Sequence, residues 1–467
     1  MLEILKTATE VLVGLVGLSI LVFVHELGHL IAAKLLKLKV ETFSLGYGKK
    51  LIGFKWGETT YQISWFPFGG FCKMQGEHLF AKAVEENLDK MPDDEEHYYN
   101  APAWKRIIVS LAGPVANAIL ALLFITGLYL VGFNEYSSAN RIVLASEFAA
   151  GQAAGPTYPA NKAGLATGDL ITAINGKEIR NFLEIRKAIV PHPKDELLLT
   201  VIRRNETLKL EITPELDTEN SIGFIGIMEW KEPVIEKLGP KTEGLNPWLK
   251  QGDRIISLGG KPVEHVIAFL HMFKEKPSEL PMVVERNGQQ VTGSFAMSYY
   301  KKKTPLIDLE YKTGVYRSPS CSFFEAFSYG IEECGSIVSG IFKFFSLIPQ
   351  KINLSRAVGG PIKTTVIIGL ATGESVTKGF DYAVVQFIHY VAALSMTLGI
   401  MNLLPLPMLD GGYVILFAAE WIRRKSWRPR FLFRFQMIGI GIFAIILVFI
   451  LFSDVSFLIN LITGGSL

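Results

Sequence analysis

His25-Glu26-Leu27-Gly28-His29 closes an apolar run, Val11 to Val24, that reads VLVGLVGLSILVFV. The run carries no charge, but at 1.5 Å per residue its fourteen residues span only roughly 21 Å, short of a ~30 Å hydrocarbon core. To cross, the helix must continue through HELGH to about Leu36. Two histidines and a glutamate then sit at membrane depth. An ionisable group there costs roughly 2.5–3.5 kcal/mol or more and is functional by default. Residues four apart share a helix face, so His25 and His29 point the same way. This is the H-E-x-x-H spacing that binds zinc, with the intervening Glu26 as general base.

The remaining composition fits a membrane protein with substantial parts outside the bilayer. Of 467 residues, 49% are apolar, and the net charge of +3 is too small to imply nucleic-acid binding. The three cysteines, Cys72, Cys321 and Cys334, form no C-x-x-C pair. On one helix Cys321 and Cys334 would be about 20 Å apart, so a bridge would need a turn between them, and free thiols are expected. The N-terminal segment carries Glu3 and Glu10 beside Lys6 and lacks an A-x-A site, so it reads as a retained span.

Three further spans follow: Ile107 to Phe133, Tyr382 to Leu409, and Phe433 to Phe452. The connections after spans one and three are rich in Lys and Arg, from Lys34 to Arg106 and from Arg423 to Arg434. The positive-inside bias makes both cytoplasmic and puts the large 134–381 region and both termini outside.

Residues 40–75 alternate with period two between turn glycines and read as hairpins, dense in Phe and Trp. They either dip into the membrane beside HELGH or form a small cytoplasmic sheet. Residues 76–100 are acidic and read as a surface loop. In the outer region, Gly164 to Ile179 (GLATGDLITAINGKEI) is echoed by Leu249 to Val263 (LKQGDRIISLGGKPV). Each copy places a strand before a tight turn whose glycines supply φ > 0. The G-D-x-I-x-x-x-x-G signature resembles PDZ domains in tandem, which either bind a peptide strand or serve as a rigid module. Residues 321–350 carry a broad Phe/Ile stripe broken by Glu325, Glu332 and Glu333, which fits a surface-lying amphipathic helix. Residues 357–371 are also assigned to the interface.

Catalytic zinc takes three protein ligands and one open position. His389 lies early in span three, near the outer face, and is poorly placed. Asp410 ends the same span at the depth of HELGH, in NLLPLPMLDGG (Asn402 to Gly412), and an aspartate closing an apolar run needs a partner. The Asn402 amide offers donors for a peptide or a developing oxyanion. Pro405 and Pro407 forbid a regular helix and leave backbone free to pair with substrate.

HELGH in span one with N-x-x-P-x-P-x-L-D-G in span three resembles the site-2 protease family of intramembrane zinc metalloproteases. The tandem PDZ-like repeat and the FGGFCKM stretch (Phe68 to Met74) narrow the resemblance to its bacterial members with tandem PDZ domains. The resemblance covers essentially the whole chain. It implies Zn2+ held by His25, His29 and Asp410, Glu26 as base, and Asn402, Pro405, Gly69 and Gly70 as substrate-binding residues. It further implies single-span substrates in the lipid bilayer, such as a trimmed anti-sigma factor in an envelope stress response or remnant signal peptides. The location implied is the bacterial inner membrane, with the PDZ region and both termini periplasmic.

The expected fold is therefore a membrane protein of four transmembrane α-helices, with a membrane-associated β-hairpin region and two extracytoplasmic PDZ-like α/β domains. Its expected parts are span one (1–36), the hairpins and acidic loop (37–104), span two (105–133) and PDZ-like domains at 134–221 and 222–315. Amphipathic helices (316–381), span three (382–409), a cytoplasmic loop (410–432), span four (433–457) and a tail (458–467) complete it. Two rival readings are a non-catalytic PDZ adaptor, opposed by the complete triad, and a transporter, opposed by four spans without an inverted repeat.

Overall fold

The computed structural model describes residues 2–91, 98–148, 157–273, 277–300, 304–305, 307–318, 320–350, 352–354 and 359–463. Residues 92–97 of the expected acidic loop and 355–358 of the expected interfacial stretch fall outside them. The chain divides into two units, one of residues 1–133 with 318–467 and the other of 134–317.

The first unit is helical apart from one sheet. Helix α1 (Leu2–Leu35) carries HELGH. Strands β1 (Val40–Trp56) and β2 (Thr59–Met74) follow, then α2 (Glu77–Glu85) and α3 (Ala103–Val131). After the second unit come α4 (Phe323–Leu347), α5 (Pro361–Val376), α6 (Phe380–Asn402), α7 (Asp410–Arg423) and α8 (Pro429–Thr463). Four of these, α1, α3, α6 and α8, are long and apolar enough to cross a membrane. On α8 the side chains of Ile438, Ile445, Val448 and Phe452 are exposed, as on a helix that meets lipid tails.

Helix α3 is the axis of this unit, with α1, α4, α6 and α7 packed on it. In lipid, helices are held by close backbone approach rather than by exclusion of water. Gly28 provides that approach: a Cβ there would lie 2.3 Å from the Ala112 carbonyl oxygen. Below it, Leu30, Ala33, Leu38, Val40, Phe43 and Val109 bury one core between α1, the sheet and α3.

The alternating 40–75 segment forms one sheet from two bent strands. Residues 42–45 pair with 70–73 on one side and with 60–63 on the other, while 52–56 pair with 59–63. Residues 70–73 therefore form an edge with no further strand partner among the described residues.

Three expectations are corrected here. The third apolar segment is not one helix to Leu409: α6 ends at Asn402, and Pro405 and Pro407 break the chain before α7. The 410–432 segment is not a loop, because α7 occupies its first fourteen residues. Its Gly411-Gly412 reads locally as a turn but serves packing: a Cβ at either would stand 2.1 Å from the carbonyl oxygen of Leu403 or Leu406. The acidic 76–100 stretch begins with helix α2, which buries Phe80 and Ala83. Cys72, Cys321 and Cys334 are all free thiols.

The second unit is built from the internal repeat. Strands Leu170–Ile174, Lys177–Glu178, Leu197–Arg203 and Glu206–Ile212 form one four-stranded sheet. Strands Arg254–Leu258, Lys261–Pro262, Glu279–Arg286 and Gln289–Ala296 form another in the same order, and each has a helix between its second and third strands. The G-D pairs explain themselves in both copies. Gly168 (φ +96°) and Gly252 (φ +88°) take a conformation that suits glycine. The following Asp169 and Asp253 are buried, accept the Ala166 and Lys250 N–H at 2.8 Å, and pair with Arg203 and Arg286. Strand Ile227–Glu229 pairs with Ile142–Leu144, so the first repeat runs past 222 to about 229.

Candidate metal centre and its surroundings

Helix geometry puts His25 and His29 on one face of α1, and their ring nitrogens converge. The two Nε2 atoms stand 3.3 Å apart. Asp410, the first residue of α7, brings Oδ2 to 3.2 Å from His25 Nε2 and Oδ1 to 3.5 Å from His29 Nε2. These three form a cluster able to hold a metal ion, with all ligand atoms within 4.8 Å. A tetrahedral ion bound at 2.0–2.1 Å would hold its ligands about 3.3–3.4 Å apart, so the observed edges fit zinc.

The rings are also set in the right tautomer. His29 Nδ1 lies 2.8 Å from the Val109 carbonyl oxygen, an acceptor only, so Nδ1 carries the proton and Nε2 offers its lone pair. His25 Nδ1 faces the Asn117 side chain at 3.3 Å, through Nδ2, while Asn117 Oδ1 is buried without a hydrogen-bond partner among the described residues. Turning that amide over lets Oδ1 accept the His25 Nδ1–H, the tautomer that leaves His25 Nε2 free for a metal. Asn117 is held in turn by Ser395, whose hydroxyl donates to the Asn117 backbone carbonyl at 2.9 Å. Asp410 benefits from its place in the first turn of α7, where the helix dipole favours an anion.

Glu26 points toward the sheet and accepts the Cys72 backbone N–H. A Cβ on Gly70 would stand 3.0 Å from Glu26 Cγ, so the edge strand passes directly over the carboxylate. The Tyr47 ring lies over Gly69, whose φ of +136° and absent side chain make room for it. A cavity of 540 Å³ joins these parts, lined by the triad, Glu26, Gly69, Gly70, Tyr47 and Asn402 among others. Asn402 Nδ2 is 3.2 Å from His25 Nε2. Burial pushes the Cys72 thiol and the Tyr98 phenol, also on the cavity wall, up to about 12, so both are neutral there.

Of the residues singled out from the sequence, His25, Glu26, His29, Asp410, Asn402, Gly69 and Gly70 meet at this cavity, while Pro405 is not among its lining residues. His389 is elsewhere, with Nδ1 3.2 Å from the Val385 carbonyl oxygen. Sequence reasoning missed Asn117, Gly113 and the Val109 carbonyl. The signal for Asn117 was present: an amide within an apolar span is costly unless partnered.

Apolar helices around two histidines, a carboxylate and an adjacent glutamate define a membrane-embedded metalloprotease. The comparisons with known proteins agree. The model for peptidase family M50 matches residues 13–449. The "Putative zinc metalloprotease" of Treponema pallidum (strain Nichols) is 29% identical over 456 residues, covering 97% of this chain and 100% of that protein. The "Regulator of sigma-E protease RseP" of Escherichia coli (strain K12) is 27% identical over 474 residues, covering 95% and 97%. The chain belongs to peptidase family M50, the site-2 proteases, and is a zinc metalloprotease.

Proposed function

We propose that this chain cleaves a peptide bond inside the transmembrane segment of a single-span membrane protein, with His25, His29 and Asp410 as zinc ligands and Glu26 as general base. The observation that carries the reading is the triad's near-tetrahedral spacing beside Glu26, with His25, Glu26 and His29 on a helix apolar enough to span a bilayer. A zinc ion held by His25, His29 and Asp410 would supply a water acidified to a pKa of about 7 and Lewis-acid polarisation of a carbonyl. Glu26, oriented by the Cys72 N–H, takes the proton of the attacking water and returns it to the leaving amine. The Asn402 amide donates toward the carbonyl oxygen as charge develops on it.

A substrate helix hides its own backbone in hydrogen bonds and must unwind before attack. The unpaired edge at 70–73, beside Glu26, is suited to receive the unwound segment as an added strand, with Gly69 and Gly70 leaving space for it. Pro405 acts indirectly, by ending α6 just after Asn402.

We further propose an inner-membrane location in a bacterium, with the 134–317 unit and both termini on the periplasmic side, from the Lys and Arg bias of the connections. The tandem repeat is read as two PDZ-like domains that exclude substrates with bulky outer parts. The substrate class is then a protein already trimmed outside the membrane, an anti-sigma factor of an envelope stress response or a remnant signal peptide. The test is co-expression of wild type or Glu26→Gln with trimmed single-span candidates. Glutamine keeps the shape but cannot take a proton, so zinc content should stay at about one per chain while fragments disappear. Cleavage by Glu26→Gln near the wild-type rate would refute the base assignment.

A further inference from the structure

Arg106 and Glu420 lie outside the cavity lining, yet they form a buried ion pair inside the first unit. Their exposures are only 2% and 5%. The Arg106 guanidinium donates to Glu420 Oε1 and, through Nε, to the Ala101 carbonyl at 3.0 Å. It also lies over the Phe417 ring, 4.5 Å from its centroid. Glu420 Oε2 is buried with no hydrogen-bond partner among the described residues. A pair so placed pays desolvation on both ions and is weak evidence for stability; fixing one geometry among alternatives is the better-supported use.

The geometry it fixes is visible along α3. Arg106, Val109, Gly113 and Asn117 follow one another at three- and four-residue spacing, so they share one face of that helix. Arg106 grips Glu420 of α7. Val109 holds His29, Gly113 lies against both histidine rings, and Asn117 faces His25. Both halves of the ligand set are thus referenced to one ruler: the histidines by direct contact, and Asp410 through α7. Asp410 is ten residues before Glu420, about 15 Å along the same rigid helix. Slipping α7 by one residue would turn Asp410 by about 100° and remove it from the histidines, because 3.6 residues make a turn. The 403–409 turn, which carries two prolines and a positive φ at Met408, meets the first residues of α7 at Gly411 and Gly412, whereas the Arg106–Glu420 pair grips α7 ten residues beyond Asp410.

We infer that Arg106 and Glu420 are positioning residues for the metal centre, acting through α7 to hold Asp410 at ligand distance from His25 and His29. The inference rests on the proposed triad. Metal sites tolerate ligand displacements of only about 0.2 Å, and loss of an outer support typically weakens metal binding about 10–100-fold.

The test uses the full chain with Zn2+ and Co2+ as probes. Zinc affinity is measured by chelator competition, and the visible spectrum of the Co2+ form reports the ligand field. The variants are Glu420→Gln, which removes the charge with little change of shape, and Arg106→Lys, which keeps the charge but loses the planar fork. Both should bind zinc at least tenfold more weakly and shift the Co2+ spectrum. Ile125→Ala, a cavity in the same helix away from this face, should lower thermal stability and leave both readouts as in wild type. His25→Ala should lose the metal. If His25→Ala loses zinc while both clasp variants keep wild-type affinity and spectrum, the positioning inference is overturned and the triad stands. If His25→Ala also binds as wild type, the triad itself fails. Equal weakening by Ile125→Ala would mean general destabilisation and would overturn the inference, as would failure of both clasp variants to fold.

Discussion

Gly113→Ala is the most discriminating single change in the site. Gly113 sits in α3 between Val109 and Asn117, facing the histidines. A Cβ built there stands 2.4 Å from His29 Nε2, 2.7 Å from His29 Cε1 and 2.8 Å from His25 Cε1. Unbonded heavy atoms rest at about 3.5 Å, so the His29 ring must yield by about 1 Å. That is several times the ~0.2 Å a metal ligand tolerates. The ring cannot simply swing aside, because its Nδ1 is tied to the Val109 carbonyl. We therefore expect zinc affinity to fall about 10–100-fold, which is roughly 1.4–2.7 kcal/mol. Helix propensity runs the other way: alanine is about 1 kcal/mol better than glycine in a helix interior. The expected signature is zinc binding weakened by more than the metal-free form is destabilised, because the ~1 kcal/mol propensity gain offsets part of the ~1–3 kcal/mol cost of overpacking while the displaced ring is lost to the metal in full. The assay pairs chelator competition with thermal melting of the metal-free protein, and cleavage of a trimmed substrate should fall in step with zinc occupancy. Gly113→Ala that binds zinc as tightly as wild type would refute the reasoning, since the rings would then not occupy the positions described.

Two further outcomes test the architecture. The ends of the 134–317 unit meet, because Ser318 N donates to the Phe133 carbonyl at 2.8 Å and the Phe133 N–H donates to the Ser318 hydroxyl at 2.9 Å. Replacing 134–317 with a short Gly/Ser linker should therefore leave a folded, zinc-loaded first unit that still cleaves a trimmed substrate and also accepts an untrimmed one; continued rejection of the untrimmed substrate, scored by fragment appearance, would sink the size-exclusion reading. For topology, a cysteine at exposed Glu206 should react with an impermeant thiol reagent once the outer membrane is permeabilised, whereas one at exposed Glu85 should not; the reverse pattern would invert the proposed orientation.

Much of this protein is legible without coordinates, and for a local reason. Span length and apolarity, the i, i+4 histidines and the G-D repeats are properties of short segments whose backbone geometry is fixed by periodicity. Hydrogen bonding that must be satisfied within each span makes α1 and α3 helical whatever surrounds them. The shared face of His25 and His29 follows from 3.6 residues per turn alone. The aspartate of each G-D pair is also marked in sequence, but its partner strand arginine, thirty-odd residues on, is not.

The errors lie where local and tertiary signals conflict. Asp410-Gly411-Gly412 heads the 410–432 segment read as a loop, yet it opens α7, with both glycines placed where the helix abuts the carbonyls of Leu403 and Leu406. The acidic 76–100 stretch hides an amphipathic helix whose Phe80 and Ala83 find a core only once the chain has folded. By itself the sequence determined the apolar segments, the repeat, and the candidate ligands and base that the proposed function uses. Only the tertiary structure decided that Asp410 reaches the histidines from the start of a separate helix, that Asn117, Val109 and Gly113 support the rings, and that an open sheet edge passes over Glu26. Those relations join residues separated by tens to hundreds of positions, and no local periodicity encodes a distance between two elements until their side chains have packed.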